Sequence, residues 1–168
     1  MTAEIYKELV KAAEGPTYIN ARIRIALCIL AVTGIRINEL LPLKVKQLQT
    51  LIEENWIAID RSKRGPSNHK AFLNKEEKKL IQNRQKDFEF IFLMKEPNSY
   101  VFTSEAQHTK PLGRVVVTKN VNSCVRFLNN LMTSQILPVT VFELVTLLSF
   151  GKIPKTLNLL NKLLVIES

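Results

Sequence analysis

The run from Leu30 to Leu48, Leu-Ala-Val-Thr-Gly-Ile-Arg-Ile-Asn-Glu-Leu-Leu-Pro-Leu-Lys-Val-Lys-Gln-Leu, constrains the fold more than any other stretch of this chain. The apolar residues between Ile23 and Val32 predict a buried helix that stops at Thr33-Gly34. Glycine suits the position just past a helix end because it accepts a left-handed backbone at little steric cost. Arg36 follows at once, Glu39 comes three residues later, and a second apolar run then begins. A helix end, an arginine and a new helix start, in that order, make a rigid mount for one guanidinium.

The rest of the composition says what such a mount can serve. With 168 residues and 46% hydrophobic content, the chain can bury one sizeable core. A formal charge of +9 and a pI near 9.7 favour an acidic partner, most simply nucleic acid, although charge alone does not single that partner out. The two cysteines, Cys28 and Cys124, have neither metal-ligand spacing nor a histidine cluster beside them, so buried reduced thiols are expected. Met1 to Val10 carries acids and no apolar signal core, and no uncharged segment reaches membrane-spanning length. A soluble, non-secreted protein of the cytoplasm or nucleoid of a bacterial-type cell, or of an organelle, is the expectation.

In chain order, Thr2 can cap a first helix running to Ala13, which Gly15-Pro16 ends. Asn20 is expected to cap the second, with Ile23, Leu27, Leu30 and Ala31 on one face. Beyond Arg36 a short helix carries Leu40, Leu41 and Leu43, limited by Pro42, and Lys44-Val45-Lys46 leads out of it. From Leu51 to Leu73 the period changes to alternation. Trp56 to Asp60 reads as a strand, Arg61 to Asn68 as a cationic turn, and His69 to Leu73 as the return strand. Asn74 with Glu77 forms a capping box opening a long helix to about Lys95. Tyr100-Val101-Phe102 reads as a short extended piece, His108 to Arg114 as a polar loop, and Thr118 as the cap of a last helix to about Met132. His69 and His108 are expected at the surface. From Val139 to Ser168 the chain is leucine-rich, poor in charge, and has no clean helical or strand period.

The segment Thr33-Gly34-Ile35-Arg36-Ile37-Asn38-Glu39-Leu40-Leu41-Pro42-Leu43 resembles the first catalytic box of the tyrosine recombinases, the phage-integrase family. The basic hairpin and the capped helix after it follow in that family's order, and the resemblance covers about Ala12 to Asn130. It implies a mainly α fold with a small antiparallel β-sheet (α+β), without the N-terminal DNA-clamping domain that usually precedes it. The chemistry it implies is DNA integration and recombination. A tyrosine hydroxyl attacks a DNA phosphodiester, and the phosphotyrosyl link is later reversed by a 5′-hydroxyl. No metal or cofactor is used, so arginines stabilise the charge on the phosphate oxygens, their planar fork giving paired hydrogen bonds.

On this resemblance Arg36 matches the first family arginine, Glu39 the acidic position supporting the site, and Lys63 the hairpin lysine that protonates the leaving oxygen. Arg61 or Arg64 can be mistaken for that lysine, and both, with Lys44 and Lys46, are candidate DNA contacts. Bland readings stand beside these. An arginine after a helix-ending glycine can be a solvated capping residue, Glu39 can pair with Lys44 or Lys46 on the surface, and the hairpin cations can be an ordinary charged turn. The implied partner is double-stranded DNA, with self-association in a synaptic complex, and no membrane.

The family's second box, His-x-x-Arg, its later histidine or tryptophan, and its nucleophile are not found in this sequence. The tyrosines are Tyr6, Tyr18 and Tyr100, all ahead of the nucleophile's place. Suppose the reading frame moves so that each codon joins the third base of one residue to the first two of the next. Phe142-Glu143 then gives arginine or a stop, Val139 to Leu144 can spell His-Ser-Phe-Arg-Ile, and Leu163 to Ile166 can spell Ile-Gly-His. The expectation is therefore a partial catalytic domain over 1–138 followed by an out-of-frame tail over 139–168, inactive but retaining DNA binding. The competing expectation is a non-catalytic helical interaction module whose apolar tail docks on a partner.

Overall fold

The computed structural model describes residues 3–61, 68–93, 95–107 and 109–133, with no side-chain description for 3 and 127–133. Helix α2 (Tyr18–Thr33) is the axis of the molecule. Ala21, Ile25, Leu27, Cys28 and Ile29 have no exposed surface, so this helix is apolar on nearly every side. Around it pack α1 (Ala3–Ala12), α3 (Ile37–Leu40), α5 (Lys75–Gln82), α6 (Gln85–Phe92) and α7 (Arg114–Thr133). A further helix, α4 (Val45–Glu54), carries the only sheet among the described residues, β1 (Trp56–Ile59) paired antiparallel with β2 (His69–Phe72). Trp56 faces Phe72 and Ile59 faces His69, and Ile57 and Ile59 turn inward with almost no exposure. The fold is mainly helical with a two-stranded antiparallel sheet, as the resemblance implied.

Several local expectations hold. Asn74 Oδ1 accepts from the Glu76 and Glu77 N–H groups while Glu77 Oε2 accepts from the Asn74 N–H. Gly34 lies in the left-handed region (φ 63°) and closes α2 with a bond from its N–H to Leu30 O. Tyr100 bridges Lys44 in extended form, and Val101 N–H reaches Leu43 O. Cys28 and Cys124 are buried free thiols, whereas His69, expected at the surface, is half-buried on β2 opposite Ile59. Thr2, His108 and the tail from 134 onward lie outside the described residues.

Four boundaries differ from the sequence reading. Helix α2 is capped by Thr17, whose Oγ1 accepts from Asn20 N–H; the Asn20 amide instead donates to Glu14 O and ties the preceding loop. Lys44 to Glu54 is not an exit followed by alternation but a full helix, because Val45, Leu48 and Leu51 recur at helical spacing and all are buried. Asn83-Arg84 breaks the long helix, Arg84 leaving helical dihedrals (φ −107°, ψ 9°), and the turn lets Phe88 and Ile91 reach the core while Asp87 reaches Arg24. Helix α7 begins at Arg114, straight after Gly113, so Thr118 is an interior residue rather than its cap.

Among the described residues no helix is long and apolar enough to cross a membrane.

Candidate functional site

The Arg36 mount is built where α2 ends. Gly34 turns the backbone, Ile35 drops into the core at 3% exposure, and Arg36 takes the extended conformation (φ −84°, ψ 157°) that precedes α3. Glu39 then reaches back. Its Oε2 accepts the Arg36 backbone N–H at 2.9 Å, and its Oε1 lies 3.4 Å from Arg36 Nη1. The Glu39 side chain has no exposed surface whereas the Arg36 side chain is 45% exposed. A carboxylate in the interior is tolerated only when it is paired and hydrogen-bonded. Here it anchors the arginine through its backbone N–H and Nη1, while nearly half of the arginine side chain stays accessible.

A second cation meets the same carboxylate. Arg61, just beyond β1, places Nη1 4.0 Å from Glu39 Oε2, with its side chain 29% exposed. Two guanidiniums, one from the α2–α3 junction and one from the hairpin, thus flank one buried carboxylate. Two guanidinium charges thus face a single carboxylate charge. The surface pairing of Glu39 with Lys44 or Lys46 is overturned, because Glu39 is 2% exposed and its ion pairs are with Arg36 and Arg61.

The hairpin is fixed to this site from beneath. Gln47 on α4 accepts the Lys44 N–H through Oε1 and donates through Nε2 to Ala58 O on β1, at 2.8 Å. Of the other candidate contacts, Lys46 is exposed on the first turn of α4, and Lys44 is half-buried with Nζ 5.9 Å from the centre of the Tyr100 ring. Lys63 and Arg64 fall in the turn that lies outside the described residues. The sequence reading missed the sharing of Glu39 by Arg61 and the role of Gln47. Both contacts join separate elements, and no spacing rule signals them.

Of the three tyrosines, Tyr6 is buried and Tyr18 and Tyr100 are half-buried. Tyr6 is 5% exposed. The Tyr18 ring is covered edge-on by Phe90 and flanked by Arg22 and Lys95, and its hydroxyl lies 3.4 Å from Thr103 Oγ1. Tyr100 is bridged to Lys44. Lys95 donates to Tyr100 O, Val101 O and Thr103 Oγ1, and its burial pulls the ammonium pKa down. Among the described residues no group of three or more His, Cys, Asp or Glu is placed to hold a metal ion.

The family model for the phage integrases matches residues 1–134, which is most of the chain. The chain belongs to the phage integrase family. The arrangement of helix end, arginine and buried glutamate described above falls inside the matched span. A structure titled "Crystal structure of XerA recombinase" superposes on this integrase-family chain with a TM-score of 0.55 at 19% identity, covering 88% of this chain and 48% of that one. The likeness shows a shared fold, and the present chain spans about half the length of that recombinase. Comparison with curated proteins gave no match.

Proposed function

We propose that this chain is a phosphate-holding portion of an integrase catalytic domain that binds duplex DNA and, on its own 168 residues, does not cut it. The observation that supports this most is the Glu39 fork: a buried carboxylate flanked by Arg36 and Arg61, whose side chains are 45% and 29% exposed. A DNA phosphate is a fitting ligand. Its two non-bridging oxygens accept the donors that Glu39 leaves unused, and a guanidinium presents them in a planar fork. Lys63 is assigned to the leaving oxygen, and Arg64, Lys44 and Lys46 to flanking phosphates. Such contacts give binding that weakens steeply with salt and reads little sequence.

Strand cleavage needs a nucleophile, and Tyr6, Tyr18 and Tyr100 all lie ahead of the place where the family carries it. Residues 1–138 are then the catalytic-domain portion and 139–168 an out-of-frame tail. The shifted frame can spell His-x-x-Arg and Gly-His in the family's order. Sequencing the coding DNA decides this part: if that frame does not encode both motifs, the tail belongs to the protein as translated and the frameshift is rejected.

Fluorescence anisotropy with a labelled duplex tests the binding. Arg36→Ala and Lys63→Ala should each weaken association by about tenfold at low salt and flatten its salt dependence. Parent-like binding by both variants would remove the support for this site.

A further inference from the structure

On another face of the molecule, α1 and the α5–α6 turn face each other across an open cleft of ≈ 600 Å³. Lys7 and Lys11, one helical turn apart and both exposed, form one wall, and Arg84 and Lys86 form the other. Arg24 also lines the cleft but is spent: it grips Asp87 through Nε and Nη2 at 3.0 and 2.6 Å and donates to Ala13 O and Gly15 O. Asp87 is thereby largely neutralised, and Arg84 reaches it only at 3.5 Å. The remaining carboxylate, Glu14, is exposed. Lys7, Lys11, Arg84 and Lys86 therefore form a cationic surplus concentrated in a concavity.

Tyr6 lines the same cleft, with its hydroxyl buried beside the Cys28 thiol. Burial, reinforced by Cys28, pushes the phenol pKa upward, so the group stays neutral and adds no negative charge to offset the cations.

We infer that this cleft is a second anion site, separate from the Arg36 mount, that takes a phosphate group between Lys7 and Lys11 on one wall and Arg84 and Lys86 on the other. The phosphate belongs to a DNA backbone or to a small phosphorylated molecule. Either source supplies the same charge and the same acceptor oxygens. The site stands independently of the function proposed for Arg36, because none of its residues touches that mount.

The test is an amide-resolved NMR titration of the full chain, first with inorganic pyrophosphate and then with a short duplex. Pyrophosphate should shift the amides around Lys7, Lys11 and Arg84 saturably. Lys7→Gln with Lys11→Gln, whose side chains are exposed and so leave folding intact, should weaken it by about tenfold. A duplex that competes pyrophosphate out of the cleft assigns the phosphate to DNA; a duplex that leaves it bound assigns it to a small molecule. The absence of a saturable response to either ligand at these amides, or a response unchanged in the lysine double variant, would overturn the inference.

Discussion

Glu39 holds Arg36 at two points, the backbone N–H at 2.9 Å and the guanidinium Nη1 at 3.4 Å, from a position with no side-chain exposure of its own. The carboxylate therefore works both as the cap of α3 and as the counter-charge of the arginine. Separating those two roles is a matter of choosing the substitution.

Glu39→Gln keeps an acceptor for the Arg36 N–H and removes the charge, and should cost about 1–2 kcal/mol of stability. Glu39→Ala removes both and leaves a cavity, and should cost about 3–4 kcal/mol. Urea unfolding of the two variants measures the difference. Equal losses would mean that the acceptor kept by glutamine contributes nothing once the charge is gone.

Gly34 isolates a backbone effect. A Cβ built there meets nothing within 4 Å, so Gly34→Ala introduces strain from the positive φ and no clash. The expected loss is about 1–2 kcal/mol, with Gly34→Asn losing less because asparagine tolerates that conformation better. Thermal unfolding midpoints should rank glycine, asparagine, alanine from highest to lowest.

The Arg24–Asp87 pair is the most buried ion pair among the described residues, its side chains 11% and 14% exposed. Arg24→Met should cost about 3 kcal/mol, since it strips Asp87 of its main partner and releases Ala13 O and Gly15 O. Arg24→Met combined with Asp87→Leu should recover part of that loss, a coupling that a double-mutant cycle reads directly.

Alkaline pH should destabilise the fold through its buried acids. Burial pushes the Cys28 thiol from 9.0 to about 11, so the folded state keeps a proton that the unfolded state gives up. Stability from this group is complete below pH 9 and is lost between pH 9 and about 11, at about 1.4 kcal/mol per pH unit. The Tyr6 phenol acts in the same direction above pH 10, whereas the lowered ammonium of Lys95 acts in the opposite one. Cys28→Ser should show a flatter decline over that window in unfolding measured at a series of pH values.

What could be read from the chain alone was local. The Asn74–Glu77 box, the Gly34 turn and the alternation of Ile57 and Ile59 depend on neighbours a few positions away, and each is present. The placement of Asn20 was misread because two capping-competent residues lie in one turn, and the competing acceptor Glu14 O is supplied by a loop whose path depends on tertiary packing. The break at Arg84 leaves no mark in the sequence pattern, since Ile81 and Phe88 fit an unbroken helix as well as a broken one; Arg24, on another helix, is what Asp87 turns to meet. The candidate site divides along the same line. Arg36 and Glu39 are three residues apart and were legible together, whereas Arg61 reaches them only because Gln47 pins the hairpin.

The bonds from α2 to Thr103 carry a consequence for the order of assembly. Arg22 donates to Thr103 O across 81 positions, and Tyr18 meets Thr103 Oγ1 across 85. The central helix thus takes its last polar partners from a segment made long after it. Contacts of such separation must close a large loop before they give anything back, which slows folding. A ribosome that has released only the first sixty residues has delivered α2 and the Arg36–Glu39 pair without the segment that Tyr18 and Arg22 bond to. In this chain the organising element is synthesised early and consolidated late.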